Sequence, residues 1–133
     1  MYAMASTRVL VAGGGLGIGQ FITEFLVNKH GAKVVVLGLH ISDSVAKLET
    51  QGKIRVVRGD ATKPEVHKQT VDVVSEYLGG LDSLIITLGV IAEIERVERL
   101  DISKLRNTYE INFFAPVQLV RYRCKVRSEE HTS

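Results

Sequence analysis

Cysteine is nearly absent from this chain. Cys124 is the only one in 133 residues, so no internal disulfide framework can form. Tryptophan is missing and aromatics make up only 6%, which leaves little to stack against nucleic-acid bases. No charge of one sign dominates either: 17 Lys and Arg against 15 Asp and Glu give a net +2, too little for a nucleic-acid surface. The one basic cluster, Arg121, Arg123, Lys125 and Arg127, reads as a solvated helix face or tail. His30, His40, His67 and His131 lack metal-ligand spacing, so no metal site is legible. No apolar run approaches membrane-spanning length. Met1 to Thr7 has no basic segment followed by an apolar one and is not expected to act as a secretory signal. A reducing, cytoplasmic location is the default expectation.

Glycine and aliphatic residues are plentiful. Hydrophobic content of 45% and charged content of 24% suit one globular domain with a modest core. The most informative segment runs from Val9 to Gly19: Val-Leu-Val-Ala-Gly-Gly-Gly-Leu-Gly-Ile-Gly. An apolar strand breaks into glycines, then resumes as a helix. The glycines let the backbone bend sharply and a pyrophosphate approach, and the free N–H groups of a helix start meet its charge.

Arg8 to Ala12 reads as a buried strand, after which Ile18, Phe21, Ile22, Phe25 and Leu26 recur at helical spacing up to Gly31. Lys33 to Leu37 is a second, continuously apolar strand, as in a parallel sheet covered on both faces. Ser42 or Asp43 caps a short helix to about Thr50, and Ile54 to Val57 is a third strand. Thr62 and Glu65 form a capping box around Pro64, opening a helix with a Val66, Thr70, Val73, Val74, Tyr77 stripe that Gly79-Gly80 ends. Leu81 to Leu88 is a fourth strand. Asp101 or Ser103 opens a last helix carrying Leu105, Tyr109, Asn112, Phe113 and Pro116. The alternation predicts an α/β, Rossmann-like fold: a parallel sheet flanked by helices, ordered 3-2-1-4 and truncated after about four strands. Residues 6–126 form this partial domain. With Leu84 to Leu88 left at its open edge, the sheet would be prone to aggregate.

A glycine turn without a ligand would look similar. The spacing Gly13-x-x-x-Gly17-x-Gly19 is neither the G-x-G-x-x-G fingerprint nor a phosphate-loop NTPase motif. It resembles the T-G-x-x-x-G-x-G of the short-chain dehydrogenase/reductase family. Three further pieces follow in that family's order. They are Gly59-Asp60-Ala61-Thr62, then Leu81-Asp82-Ser83-Leu84-Ile85-Ile86-Thr87-Leu88-Gly89-Val90 (the family has L-D-x-L-V-N-N-A-G-V), then Tyr109-Glu110-Ile111-Asn112-Phe113-Phe114. The style of the last two is similar to fungal sepiapterin- or benzil-reductase-like members.

The resemblance implies an NAD(P)-binding Rossmann fold and hydride exchange with a small-molecule carbonyl or alcohol substrate. It implies that Gly13, Gly15, Leu16, Gly17, Ile18 and Gly19 cradle the pyrophosphate. Leu39 and His40 would flank the adenosine ribose, and Asp60 and Ala61 would hold adenine. Ile86, Thr87, Leu88 and Gly89 would line the ribose near nicotinamide, and Asn112 would be the catalytic residue supporting a proton relay. By their residues alone, Asp60 can simply cap a turn, His40 can face solvent, and Asn112 is an ordinary helix polar residue. Pro116 singles Asn112 out, because it offers no N–H to the Asn112 carbonyl, and the helix should kink there.

Two departures from the family pattern touch one contact. Ala12 replaces a Thr whose hydroxyl bonds the neighbouring strand, and Ile86-Thr87-Leu88-Gly89 replaces N-N-A-G on that strand. Thr87 is expected to keep only part of the polar function. Cofactor choice is sparsely marked: Gly38-Leu39-His40 lacks the acid that would favour NAD, and this with the fungal resemblance favours NADP.

The family's Tyr-x-x-x-Lys pair has no counterpart here, since Tyr122 and Lys125 are three apart. The chain is therefore expected to be a fragment that binds a dinucleotide without turning over substrate. Arg127 to Ser133 resembles a translated sequencing-adapter oligonucleotide, so residues 127–133 are expected to be a non-native tail. The last helix belongs, by resemblance, to a homo-oligomer interface. The alternative is a non-catalytic nucleotide-binding or sensor protein of the same fold, which the altered Ala12 and Ile86-Thr87-Leu88 would suit.

Overall fold

A computed structural model describes residues 6–132, with side chains to residue 123. Met1 to Ala5 and Ser133 lie outside it, as do the side chains of Cys124, Lys125, Arg127 and His131. Four strands, β1 (Arg8–Ala12), β2 (Lys33–Gly38), β3 (Ile54–Arg58) and β4 (Ser83–Ile86), form one parallel sheet in the order β3-β2-β1-β4. The expected order is the observed one. Helices α1 (Gly17–His30) and α2 (Asp43–Thr50) cover one face, and α3 (Pro64–Leu78) and α5 (Ala115–Thr132) the other. Val34 to Leu37 are fully buried because alternate side chains enter two different cores.

Local chemistry sets the ends. Gly31 and Gly79 take the left-handed conformation that closes α1 and α3, and Ser42 Oγ accepts from Val45 N at 3.3 Å to open α2. The expected capping box at α3 does not form. Lys63 is the N-cap with no side-chain bond, because the Thr62 hydroxyl donates instead to Asp60 Oδ1, at 2.7 Å. β4 is also shorter than expected. Past Ile86, Thr87 still donates its N–H to Ala12 O at 2.8 Å, while its hydroxyl turns to the glycine turn.

The apolar spacing along α1 misleads. Gly19, Thr23 and Leu26 are the buried residues, whereas Ile18, Phe21 and Phe25 are 75%, 70% and 55% exposed. The helix approaches the turn too closely for bulk, so its small residues face inward. On α3, His67 and Leu78 are buried, while Val73 and Tyr77 pack only at the margin.

Asp101 opens α4 (Ile102–Tyr109), accepting from Ser103 N and Lys104 N. Residues Glu110–Phe114 then widen into a π-helical turn, in which Ala115 N donates to Glu110 O, five residues back. The expected disturbance before Pro116 thus takes the form of a π-turn joining α4 to α5. The backbone of α5 continues through Thr132. Arg123 does not simply face water: its Nη2 donates to Asp82 O at 3.0 Å. Among the described residues, no helix is long and apolar enough to cross a membrane.

Candidate dinucleotide site

The C-terminal ends of the strands converge where the order reverses, between β1 and β4. In open α/β sheets, such a switch point forms the binding crevice. β1 ends at Ala12, and Gly13 turns the chain with φ +92°, a conformation that penalises a side chain. The turn is fastened on several sides. Gly13 N donates to Leu37 O at 2.7 Å, and Gly13 O accepts from Thr87 Oγ1 at 3.1 Å. Thr23 Oγ1 lies 3.3 Å from Gly14 O but nearer Gly19 O, and Gly15 O accepts from Ser42 N at 2.9 Å.

Packing explains the glycines as much as any ligand does. A Cβ on Gly15 would lie 2.2 Å from His40 O, and one on Gly19 would lie 2.0 Å from Gly13 O. Gly17 is different, with φ +56° and open space around it. α1 starts without a side-chain cap and without an acid in its first turn. Its first N–H groups thus lack side-chain partners, and the positive end of the helix dipole carries no built-in anion. That suits an external anion beside Leu16, Gly17 and Ile18; Leu16 and Ile18 are exposed.

The remaining expected residues line the same end of the sheet. Leu39 and His40, both exposed, follow β2, and the His40 carbonyl abuts Gly15. Asp60 and Ala61 follow β3, one strand further out, tied to β2 through Gly59 N and Gly38 O at 3.0 Å. Asp60 Oδ1 accepts from Thr62 N and Oγ1, and these bonds, with Lys63 nearby, hold its carboxyl below the ordinary range. Asp60 therefore closes its own turn and stays ionised. Ile86 lies opposite Ala12 in the β1–β4 register, and Thr87, Leu88 and Gly89 lead out toward Asn112. Asn112 Oδ1 accepts from Val90 N and Asn112 Nδ2 donates to Val90 O, both at 2.8 Å. Its amide is committed to holding the strand exit.

Three contributors escaped the sequence reading. Thr23 is fully buried and bonds Gly19 O at 2.9 Å, a polar residue on an apolar helix face. Ser42 was legible as a cap but not as the anchor of Gly15. His67, buried on α3, bonds Ala61 O through Nε2 and meets Tyr122 edge-on. Among the described residues, no three His, Cys, Asp or Glu side chains cluster as metal ligands.

Sheet order and a glycine turn at the switch point define an α/β chain of the Rossmann type. A family model for short chain dehydrogenase matches residues 7–128, and the chain belongs to that family. An uncharacterized oxidoreductase of Schizosaccharomyces pombe is 32% identical over 124 residues, covering 92% of this chain and 49% of the relative. One of Saccharomyces cerevisiae is 34% identical over 115 residues, covering 84% and 45%. Among solved structures, the KRED1-Pglu enzyme superposes with a TM-score of 0.82 at 29% identity, covering 90% of this chain and 51% of that one. A short chain dehydrogenase/reductase from Saccharomyces cerevisiae also gives 0.82, at 28% identity, covering 90% and 48%. The chain spans about half the length of the curated relatives it matches.

Proposed function

We propose that this chain forms the cofactor half of an NAD(P)-dependent oxidoreductase acting on a small carbonyl or alcohol substrate. The observation that carries this reading is the uncapped, acid-free start of α1 directly behind a glycine turn whose Gly13 and Gly15 carbonyls are engaged. Gly13, Gly15, Leu16, Gly17, Ile18 and Gly19 would hold the pyrophosphate, Leu39 and His40 the adenosine ribose, and Asp60 and Ala61 the adenine. Ile86 to Gly89 would line the second ribose. Bound there, the nicotinamide would give or take hydride. Asn112 would fix the exit of β4 through Val90 and offer its backbone carbonyl to a proton-carrying water.

We favour NADP. No carboxylate follows β2 at Gly38-Leu39-His40 to accept the ribose hydroxyls. No Tyr-x-x-x-Lys occurs in residues 1–133, so this chain's own share is binding, not turnover. Exposed Phe113, Phe114, Val117 and Val120 on the α5 side support pairing between copies of the whole protein. The sensor alternative rests on the altered Ala12 and Ile86-Thr87-Leu88. The Thr87 hydroxyl, which still fastens the turn to the end of β4, supports cofactor binding under either reading. Isothermal titration with NADP+ and NAD+ tests the proposal. Saturable one-site binding, tighter for NADP+, is expected; a folded chain that takes up neither refutes it.

A further inference from the structure

The hydroxyl that ties the turn to the sheet comes from an unexpected side. In the family pattern that this sequence resembles, a Thr at the position of Ala12 bonds toward the fourth strand. Here position 12 has no hydroxyl, and Thr87, just past β4, reaches back. Its Oγ1 lies 3.1 Å from Gly13 O and 3.4 Å from Ala12 O, and with one proton to give it favours the nearer. Thr87 N meanwhile donates to Ala12 O at 2.8 Å, so one residue holds two successive carbonyls of the β1 exit. The fit is close: a Cβ on either Gly13 or Gly19 would come within 2.6 Å of this hydroxyl. Oγ1 is thus wedged between the turn and the first turn of α1.

A planar trans peptide points its C=O and the next residue's N–H in opposite directions. Holding Gly13 O against Thr87 therefore turns the N–H of Gly14 away from β4. Ser42 N on Gly15 O does the same for Leu16. We propose that Thr87 is a positioning residue of the anion cradle: its hydroxyl aims the Gly14 N–H at the pyrophosphate, a task that the fold has moved from position 12 to position 87. This rests on the dinucleotide reading of the site.

The test compares Thr87→Val, which keeps shape, Thr87→Ala, which adds no bulk, and Thr87→Ser, which keeps the hydroxyl. NADP+ titration and amide exchange at Gly13 are read on each. Losing one net hydrogen bond should weaken binding by about 3- to 10-fold in Val and Ala. Gly13 exchange should accelerate by about the same factor relative to Val35 and Val36, with Ser restoring both. Val and Ala variants that bind like wild type with unchanged Gly13 exchange overturn the proposal, as does a Ser variant as weak as Val. Gly13 exchange is measured without ligand. A folded wild type that binds nothing therefore sinks the dinucleotide reading, while exchange alone still decides whether Thr87 fastens the turn.

Discussion

Replacing Gly19 by Ala adds one methyl group at the tightest point of the molecule. The new Cβ would sit 2.0 Å from Gly13 O, 2.6 Å from Thr87 Oγ1 and 2.7 Å from the Gly13 carbonyl carbon. Real Cβ atoms stay beyond 3.0 Å, so turn and helix must part by about 1 Å. The obstructing atoms are largely backbone and cannot rotate away, which puts the cost at the upper end of overpacking, about 3 kcal/mol. Alanine returns about 1 kcal/mol of helix propensity, leaving roughly 2 kcal/mol of net destabilisation. For a chain of this size that lowers Tm by about 8 °C, read by circular dichroism on heating. Gly89→Ala is the control. Its Cβ would meet nothing nearer than Asn112 Oδ1 at 3.8 Å, and it should stay within about 0.5 kcal/mol of wild type. A Gly19→Ala protein that melts at or above the wild-type temperature would refute the close approach.

Other perturbations separate other contacts. Asp82 is held at about 2 by hydrogen bonds from the Arg8 side chain and backbone, with Arg123 adding attraction. Its folded value lies below the unfolded one, so the pair stabilises at neutral pH and that share is lost as pH falls from about 4 toward 2. The Asp82 side chain is 44% exposed, so solvent screening limits the share to at most about 1 kcal/mol. Asp82→Asn should flatten this part of the pH–Tm curve. Asn112→Ala should speed amide exchange at Val90 and cost about 1 kcal/mol; an unmoved Val90 would contradict the clamp. Leu39→Asp should shift preference from NADP+ toward NAD+ by at least about 10-fold, since a carboxylate there accepts ribose hydroxyls and repels phosphate. An unchanged ratio would remove Leu39 from the ribose site.

The sheet was legible because its signals are local and redundant. Val34 to Leu37 can be buried only between two layers, and Gly31 and Gly79 stop helices by conformation. The facing of α1 was not legible. Periodicity counts bulk, whereas close packing against the turn selected Gly19 and Thr23 and left Ile18, Phe21 and Phe25 outward. The capping box failed because Asp60, two residues upstream, competed for Thr62. Within the site, the glycine positions and Asn112 were visible as motif. Thr87 was visible too, but not its partner Gly13, and Ser42 holds Gly15 across 27 residues, a contact that spacing does not encode.

The central claim is that the turn at residues 13–19 grips a dinucleotide through its backbone. Titrating the 15N-labelled chain with NADP+ and following each amide tests this most directly. The largest shifts are expected at Gly14 to Ile18, smaller ones at Leu39, His40 and Asp60 to Thr62, and none in the outer half of α3. Shifts concentrated elsewhere, or none at saturating NADP+ and NAD+ in a folded protein, would contradict it.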